Sequence, residues 1–155
     1  MPKKSAGILL YNYHNNIPVV LLVHPGGPFW ATKDLGAWSI PKGEFEVEEN
    51  PLSAAKREME EETGIKVSGT FIELIPVTQK SGKIIYAWAL QMDVDASQIK
   101  SNNFELEWPP KSGKKQAFAE VDKAAWFSID EAKKKINEGQ IPLLEELKTK
   151  LNTIR

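Results

Sequence analysis

The sequence has no cysteine and only two histidines, His14 and His24, ten positions apart. Without cysteine there can be no disulfide, no thiolate metal site and no cysteine nucleophile. Two isolated histidines allow neither an HExxH helix nor a paired-imidazole centre. Metal chemistry in this chain must rest on oxygen ligands, which points to Mg²⁺, Mn²⁺ or Ca²⁺. Long hydrophobic runs are missing as well. Nothing approaches the roughly 20 apolar residues of a membrane span, and the stretch from Met1 to Gly7 carries no signal-peptide core. These absences predict a cytoplasmic chain with no membrane partner. Nor is there an excess of charge of one sign. Twenty basic residues against 21 acidic ones leave a net charge of −1, which argues against a broad nucleic-acid-binding surface.

What is present suffices for one domain over residues 1–155, with 41 % hydrophobic and 26 % charged residues. Ala6–Tyr11 and Val19–Val23 read as buried strands, and Asn15-Asn16 between them suits a hairpin turn. A loop rich in Gly, Pro and Trp follows, and Ala37–Gly43 reads as a short strand running into a turn. Asn50 and Pro51 have the chemistry of an N-cap and a first helical position, and Gly64 suits the left-handed residue that ends a helix. Phe71–Ile75 and Ile84–Leu90 are expected strands, with Ser81-Gly82-Lys83 as the turn joining them. Residues 96–115 show no periodicity and predict a long loop. Ala125-Trp126-Phe127 ends a strand, and Ser128 with Glu131 forms a capping box for a helix that Gly139 is expected to end. Pro142 opens a last helix with Leu143, Leu144, Leu147 and Leu151 on one face. This order of elements predicts an α/β or α+β sandwich.

The chemistry concentrates between Gly43 and Ile65, where Glu44, Glu46, Glu48, Glu49, Glu58, Glu60, Glu61 and Glu62 crowd one loop and helix. At about 100° per residue, Arg57, Glu58, Glu61 and Glu62 share an arc of roughly 140°. Leu52, Ala55 and Met59 fall on another sector, free to face a core. Like charges spaced i,i+3 and i,i+4 cost a helix a few tenths of a kcal/mol per pair. Arg57 can offset one of them through Glu61. A hard divalent cation would offset the rest, because carboxylate oxygens are its preferred ligands.

The same segment resembles the signature box of the Nudix hydrolases at every defined position: Gly43, Glu49, Arg57, Glu58, Met59, Glu61, Glu62, Gly64 and Ile65. From average residue usage, a chance match at a given start is on the order of 10⁻⁹ or less. The resemblance implies an α/β/α sandwich with a mixed sheet between helices. It also implies hydrolysis of a nucleoside diphosphate linked to another moiety. It implies that Glu58, Glu61 and Glu62 hold Mg²⁺ (or Mn²⁺), that Arg57 orients the glutamates, and that Glu49, Gly43 and Gly64 are structural. For the general base it leaves two candidates. One is Glu58. The other is Glu120, which stands before the last strand and could also bind metal. Lys42, just ahead of the box, is placed to meet a phosphate oxygen.

Lys83–Leu90 and Glu120–Trp126 resemble strands of asymmetric dinucleoside tetraphosphate hydrolases, although the Phe29–Leu35 loop and the 96–115 stretch have no counterpart there. The segments His24–Pro28 and Glu107–Pro110 resemble a bacterial group of nucleoside-triphosphate pyrophosphohydrolases. Trp30, Trp38, Tyr86, Trp88 and Trp108 lie near the expected cleft, and stacking a base on such a ring gains roughly 1–3 kcal/mol. Trp30 and Trp108, on loops rich in Gly or Pro, are expected to contact substrate. Trp88 and Trp126 are expected in the core, and Tyr86 suits either place. The expected substrate is a small nucleotide, first a dinucleoside polyphosphate such as diadenosine tetraphosphate. The alternatives are a damaged nucleoside triphosphate, an RNA 5′ end, and a non-catalytic nucleotide-binding module. Such modules usually lose box carboxylates, and this chain keeps them all.

Overall fold

A computed structural model describes residues 3–154. Its strands are β1 (Lys4–His14), β2 (Ile17–Pro25), β3 (Lys42–Glu44), β4 (Ile72–Glu73), β5 (Val77–Thr78), β6 (Ile84–Gln91), β7 (Asn103–Glu107), β8 (Lys115–Ala119) and β9 (Val121–Ser128). Its helices are α1 (Pro51–Thr63), α2 (Ile129–Lys135) and α3 (Ile141–Ile154). No described helix is long and apolar enough to cross a membrane.

The main sheet runs β4-β6-β1-β2-β9, with β3 added to β1 and β5 to β6. It is mixed, since β1 runs parallel to β6 and antiparallel to β2. Both faces are covered, so β1 and β2 read as unbroken apolar runs rather than alternating ones. On one face Ile8, Leu10 and Leu21 pack with Ala54, Ala55 and Met59 of α1. On the other, Leu9, Val20 and Leu22 pack with Ile129 and Ala132 of α2 and Leu143, Leu144, Leu147 and Leu151 of α3. The expected α/β/α sandwich is therefore what forms. Trp88 and Trp126 pack half-buried against the α1-side core.

The β1–β2 hairpin turns on Asn15 and Asn16 (φ 53° and 66°), the left-handed pair of a type I′ turn. Beyond that turn the two strands pair only as far as Tyr11 and Val20. Past this point they splay, and the segment before α1 fills the wedge. Ser39 bridges Val23, Ile8 N–H donates to the Pro41 carbonyl at 3.2 Å, and β3 pairs with Ser5–Gly7. This insertion sets Lys42 and Gly43 in the middle of the sheet, under the side chains of α1.

Three expectations need correction. Residues 96–115 are not a structureless loop: β7 and β8 form a separate two-stranded sheet that packs Phe104 on Phe118 at 6.0 Å. A short charged strand such as β7, with only Phe104 and Leu106 facing inward, carries little periodicity. Gly139 does not end α2. The helix stops at Lys135 because Ile136 turns extended (ψ 152°), buries its side chain and bridges Trp38, while Gly139 sits in a 3₁₀ turn over Glu138–Gln140. The strand expected over Phe71–Ile75 pairs only at Ile72–Glu73, and Pro76 separates it from β5. The turn through Gly82 (φ 93°) thus joins β5, not β4, to β6.

Candidate active site

Helix α1 starts and stops where its local chemistry dictates. Asn50 caps it by accepting from Ser53 N–H at 3.0 Å, with Pro51 in the first turn. Gly64 ends it in the left-handed conformation at φ 78°, donating its N–H to the Glu60 carbonyl at 2.7 Å. With Ala54, Ala55 and Met59 turned into the core, the arc carrying Arg57, Glu58, Glu61 and Glu62 faces β3 and the β8–β9 corner.

Arg57 organises one side of this arc. Its fork holds Glu49 in two bonds, Nε to Oε2 at 2.9 Å and Nη2 to Oε1 at 3.0 Å. Its Nη1 reaches Glu58 Oε2 at 2.6 Å and both oxygens of Glu61 at 3.3 Å. Bonding to Arg57 holds the Glu49 carboxyl below its usual range, and Glu49 in turn raises Arg57. The other side is short of cations. Burial, then Glu61, pushes the Glu58 carboxyl up. Burial pushes Glu62 up to about 8, against the pull of the Lys42 N–H, which donates to Glu62 Oε1 at 3.2 Å. Glu120 is also raised, by burial and by Glu61. The Lys42 ammonium is lowered, first by burial and then by Lys83.

These groups border a cleft of about 200 Å³ lined by Trp30, Trp38, Lys42, Glu62, Gln79 and Glu120, with Asn137 and Gln140 at its inner wall. Glu58 and Glu61, on the same arc of α1 as Glu62, are not among the residues that line it. Among the described residues no three acidic or histidine side chains are gathered into a ready coordination shell, since Arg57 engages both Glu58 and Glu61. The donor set nevertheless fits a hard divalent cation. Carboxylates that raise one another's pKa around a single arginine leave negative charge for such an ion to neutralise.

Two of the expected substrate contacts lie outside the cleft wall. Tyr86 packs on Phe45 at 6.0 Å, and Trp108 meets Phe29 edge-on at 5.6 Å. Trp30 does line the cleft and stays 41 % exposed. Trp38 lines it too but is buried, its Nε1 donating to Asp34 at 2.8 Å. Several cleft residues carry no signal in the sequence, among them Gln79, Asn137 and Gln140. His24 is another. It is buried behind the cleft, with Nδ1 2.8 Å from Asp122 and Nε2 2.6 Å from the Lys33 carbonyl, and so ties down the loop that carries Trp30.

Comparison with known proteins places this arrangement. A model of the NUDIX domain matches residues 1–147. This chain belongs to the NUDIX family. It is a Nudix hydrolase, and its reaction class is hydrolysis of a phosphoanhydride bond. The RNA pyrophosphohydrolase of Bartonella henselae is 29 % identical over 151 residues, covering 83 % of this chain and 77 % of its own. The asymmetrical bis(5′-nucleosyl)-tetraphosphatase of Rattus norvegicus is 26 % identical over 162 residues, covering 97 % and 92 %. Among solved structures, a C. elegans Ap4A hydrolase binary complex superposes with a TM-score of 0.67 at 21 % identity, covering 97 % of this Nudix chain and 98 % of the other.

The raised Glu62 carboxyl has a measurable consequence in the metal-free protein. A carboxyl whose folded pKa lies near 8 rather than 4.5 favours folding fully below pH 4.5, and that contribution is lost as the pH rises toward 8. Glu58 and Glu120, also raised, act in the same direction. Thermal unfolding in EDTA is therefore expected to show Tm falling between about pH 5 and pH 8. Glu62→Gln should flatten most of that slope. A flat wild-type profile would mean that Glu62 ionises freely.

Proposed function

We propose that this Nudix hydrolase is a Mg²⁺-dependent pyrophosphohydrolase of dinucleoside polyphosphates. The observation that carries the reading is a single cleft that combines an exposed indole, a half-buried lysine and carboxylates from two separate elements: Trp30, Lys42, Glu62 and Glu120. The near full-length likeness to the rat tetraphosphatase supports it.

In this reading Glu58, Glu61 and Glu62 hold the metal. A divalent cation held there would supply neutralisation of phosphate charge and a lowered pKa for water. Arg57, anchored on Glu49, keeps Glu58 and Glu61 aimed at one place. Lys42 meets a phosphate oxygen as a point charge. Trp30 gives a base a face to stack on. Glu120 takes the proton from the attacking water. It has no ion pair among the described residues, whereas Glu58 is engaged by Arg57. Its raised pKa brings it closer to the working pH, as a base requires.

The test is Mg²⁺-dependent hydrolysis of diadenosine tetraphosphate, common and oxidised nucleoside triphosphates, ADP-ribose, NADH and a 5′-triphosphorylated RNA, with products resolved by chromatography. The tetraphosphate is expected to turn over fastest and to yield ATP and AMP. The RNA belongs in the panel because of the Bartonella relative's name. Faster release of pyrophosphate from RNA or from an oxidised nucleotide would overturn the reading. Wild-type binding without cleavage would favour a binding module.

A further inference from the structure

We propose that the inner wall of the cleft, formed by Gln79 and Asn137, reads the acceptor edge of a 6-oxopurine and so selects guanine over adenine. This rests on the nucleotide reading above and assigns the base. The argument starts from groups that can only donate. Ile40 N–H donates to the side-chain oxygen of Gln140 at 3.1 Å, which fixes which end of that buried amide is oxygen. Gln140 Nε2 must then find acceptors, and it donates to Ser39 Oγ at 3.0 Å and to Gln79 Oε1 at 3.0 Å. Ser39 Oγ places its own proton on the Ile40 carbonyl at 2.7 Å. The oxygen of Gln79 is thus committed inside the protein.

Asn137 is committed in the same way. Its Oδ1 accepts from Gly139 N–H at 2.9 Å, again a group with no choice but to donate. The backbone around both residues is locked. Gln79 N–H donates to Lys83 and the Gln79 carbonyl accepts from Gly82, while Asn137 N–H donates to Trp38 and the Asn137 carbonyl accepts from Gln140. What remains is Gln79 Nε2 and Asn137 Nδ2, neither with a protein partner among the described residues. Both residues line the cleft that holds Trp30, Lys42 and Glu62, at its border with a second cleft lined by Gly36, Thr78, Lys80 and Glu138.

The wall therefore offers two neutral amino groups without a partner among the described residues, while each amide oxygen already accepts a bond from within the protein. Guanine presents two adjacent acceptors, O6 and N7. Adenine presents N7 beside an N6 amino donor, which would set N–H against N–H. A phosphate could also accept here, but its charge is better matched by Lys42 and by a cation on the carboxylates than by neutral amides.

The experiment compares kcat/KM for diguanosine, diinosine and diadenosine tetraphosphate in the wild type, Gln79→Glu and Asn137→Asp. Each variant keeps the internal acceptor and replaces only the outward amino group with oxygen, so the fold should hold, as unchanged Tm would verify. The wild type is expected to favour guanine by at least about 10-fold, inosine should behave as guanine does, and each variant should lose the preference. Comparable wild-type rates on guanine and adenine would overturn the inference and leave the dinucleotide reading standing. An equal loss on all three compounds in the variants would show the wall meeting phosphate, and would also overturn it. If none is cleaved, the proposed function falls. Calorimetric Kd values for GDP against ADP, in the wild type and Gln79→Glu, then decide the base preference independently: tighter GDP binding lost in the variant sustains it, equal binding ends it.

Discussion

Glu62→Gln is expected to leave the fold intact and lower kcat at saturating Mg²⁺ by at least about 100-fold, since even residues one step removed from a metal affect its binding or activity by 10–100-fold. The substitution keeps an oxygen to accept the Lys42 N–H, so the tie between α1 and β3 survives. What it removes is one carboxylate from a site where Glu58 and Glu61 share a single arginine and Glu120 has no ion pair among the described residues. Because burial disfavours that charge in the metal-free protein, the variant should be at least as thermostable as the wild type at pH 8 in EDTA. The two readouts thus move in opposite directions, which separates loss of a metal ligand from loss of fold. A near wild-type rate at saturating Mg²⁺ would remove Glu62 from the metal site.

The parts of this protein that could be read from sequence are those settled by neighbours in the chain. Asn50, Pro51 and Gly64 bound α1 through contacts spanning four residues or fewer, and the carboxylate arc follows from helical pitch alone. The Asn15-Asn16 turn is likewise local. The inner wall was not legible, because it is made by pairs far apart in sequence. Gln140 meets Ser39 across 101 positions and Gln79 across 61, and a lone glutamine looks like any surface residue until the chain closes. Tyr86 and Trp108 show the limit for aromatics. Their ring chemistry suits a base equally well wherever they sit, and only tertiary packing turns them toward Phe45 and Phe29. The β7–β8 hairpin stayed hidden because its charged residues face solvent and the inward pair of β7, Phe104 and Leu106, is too short to set a period.

Gly43 shows a box position whose role is space. A Cβ built there would overlap both oxygens and the carboxyl carbon of Glu58. The Glu58 carboxylate lies in the hollow that any other residue would fill, and from there it reaches Arg57 Nη1 at 2.6 Å. Gly43→Ala would push that carboxylate aside. The obstructed atoms are the end of a flexible side chain, so the fold should yield at small cost, with Tm lowered by a few degrees at most. Catalysis should not yield so cheaply, because a displacement near 1 Å in a positioned group can cost about 100-fold. The decisive comparison is a double-mutant cycle of kcat/KM for Gly43→Ala, Glu58→Gln and the pair. If the glycine acts through Glu58, the double variant should be no slower than Glu58→Gln alone, a strong departure from additivity. Additive losses would mean that Gly43 matters for the β3 backbone itself, and that the hollow around Glu58 is incidental.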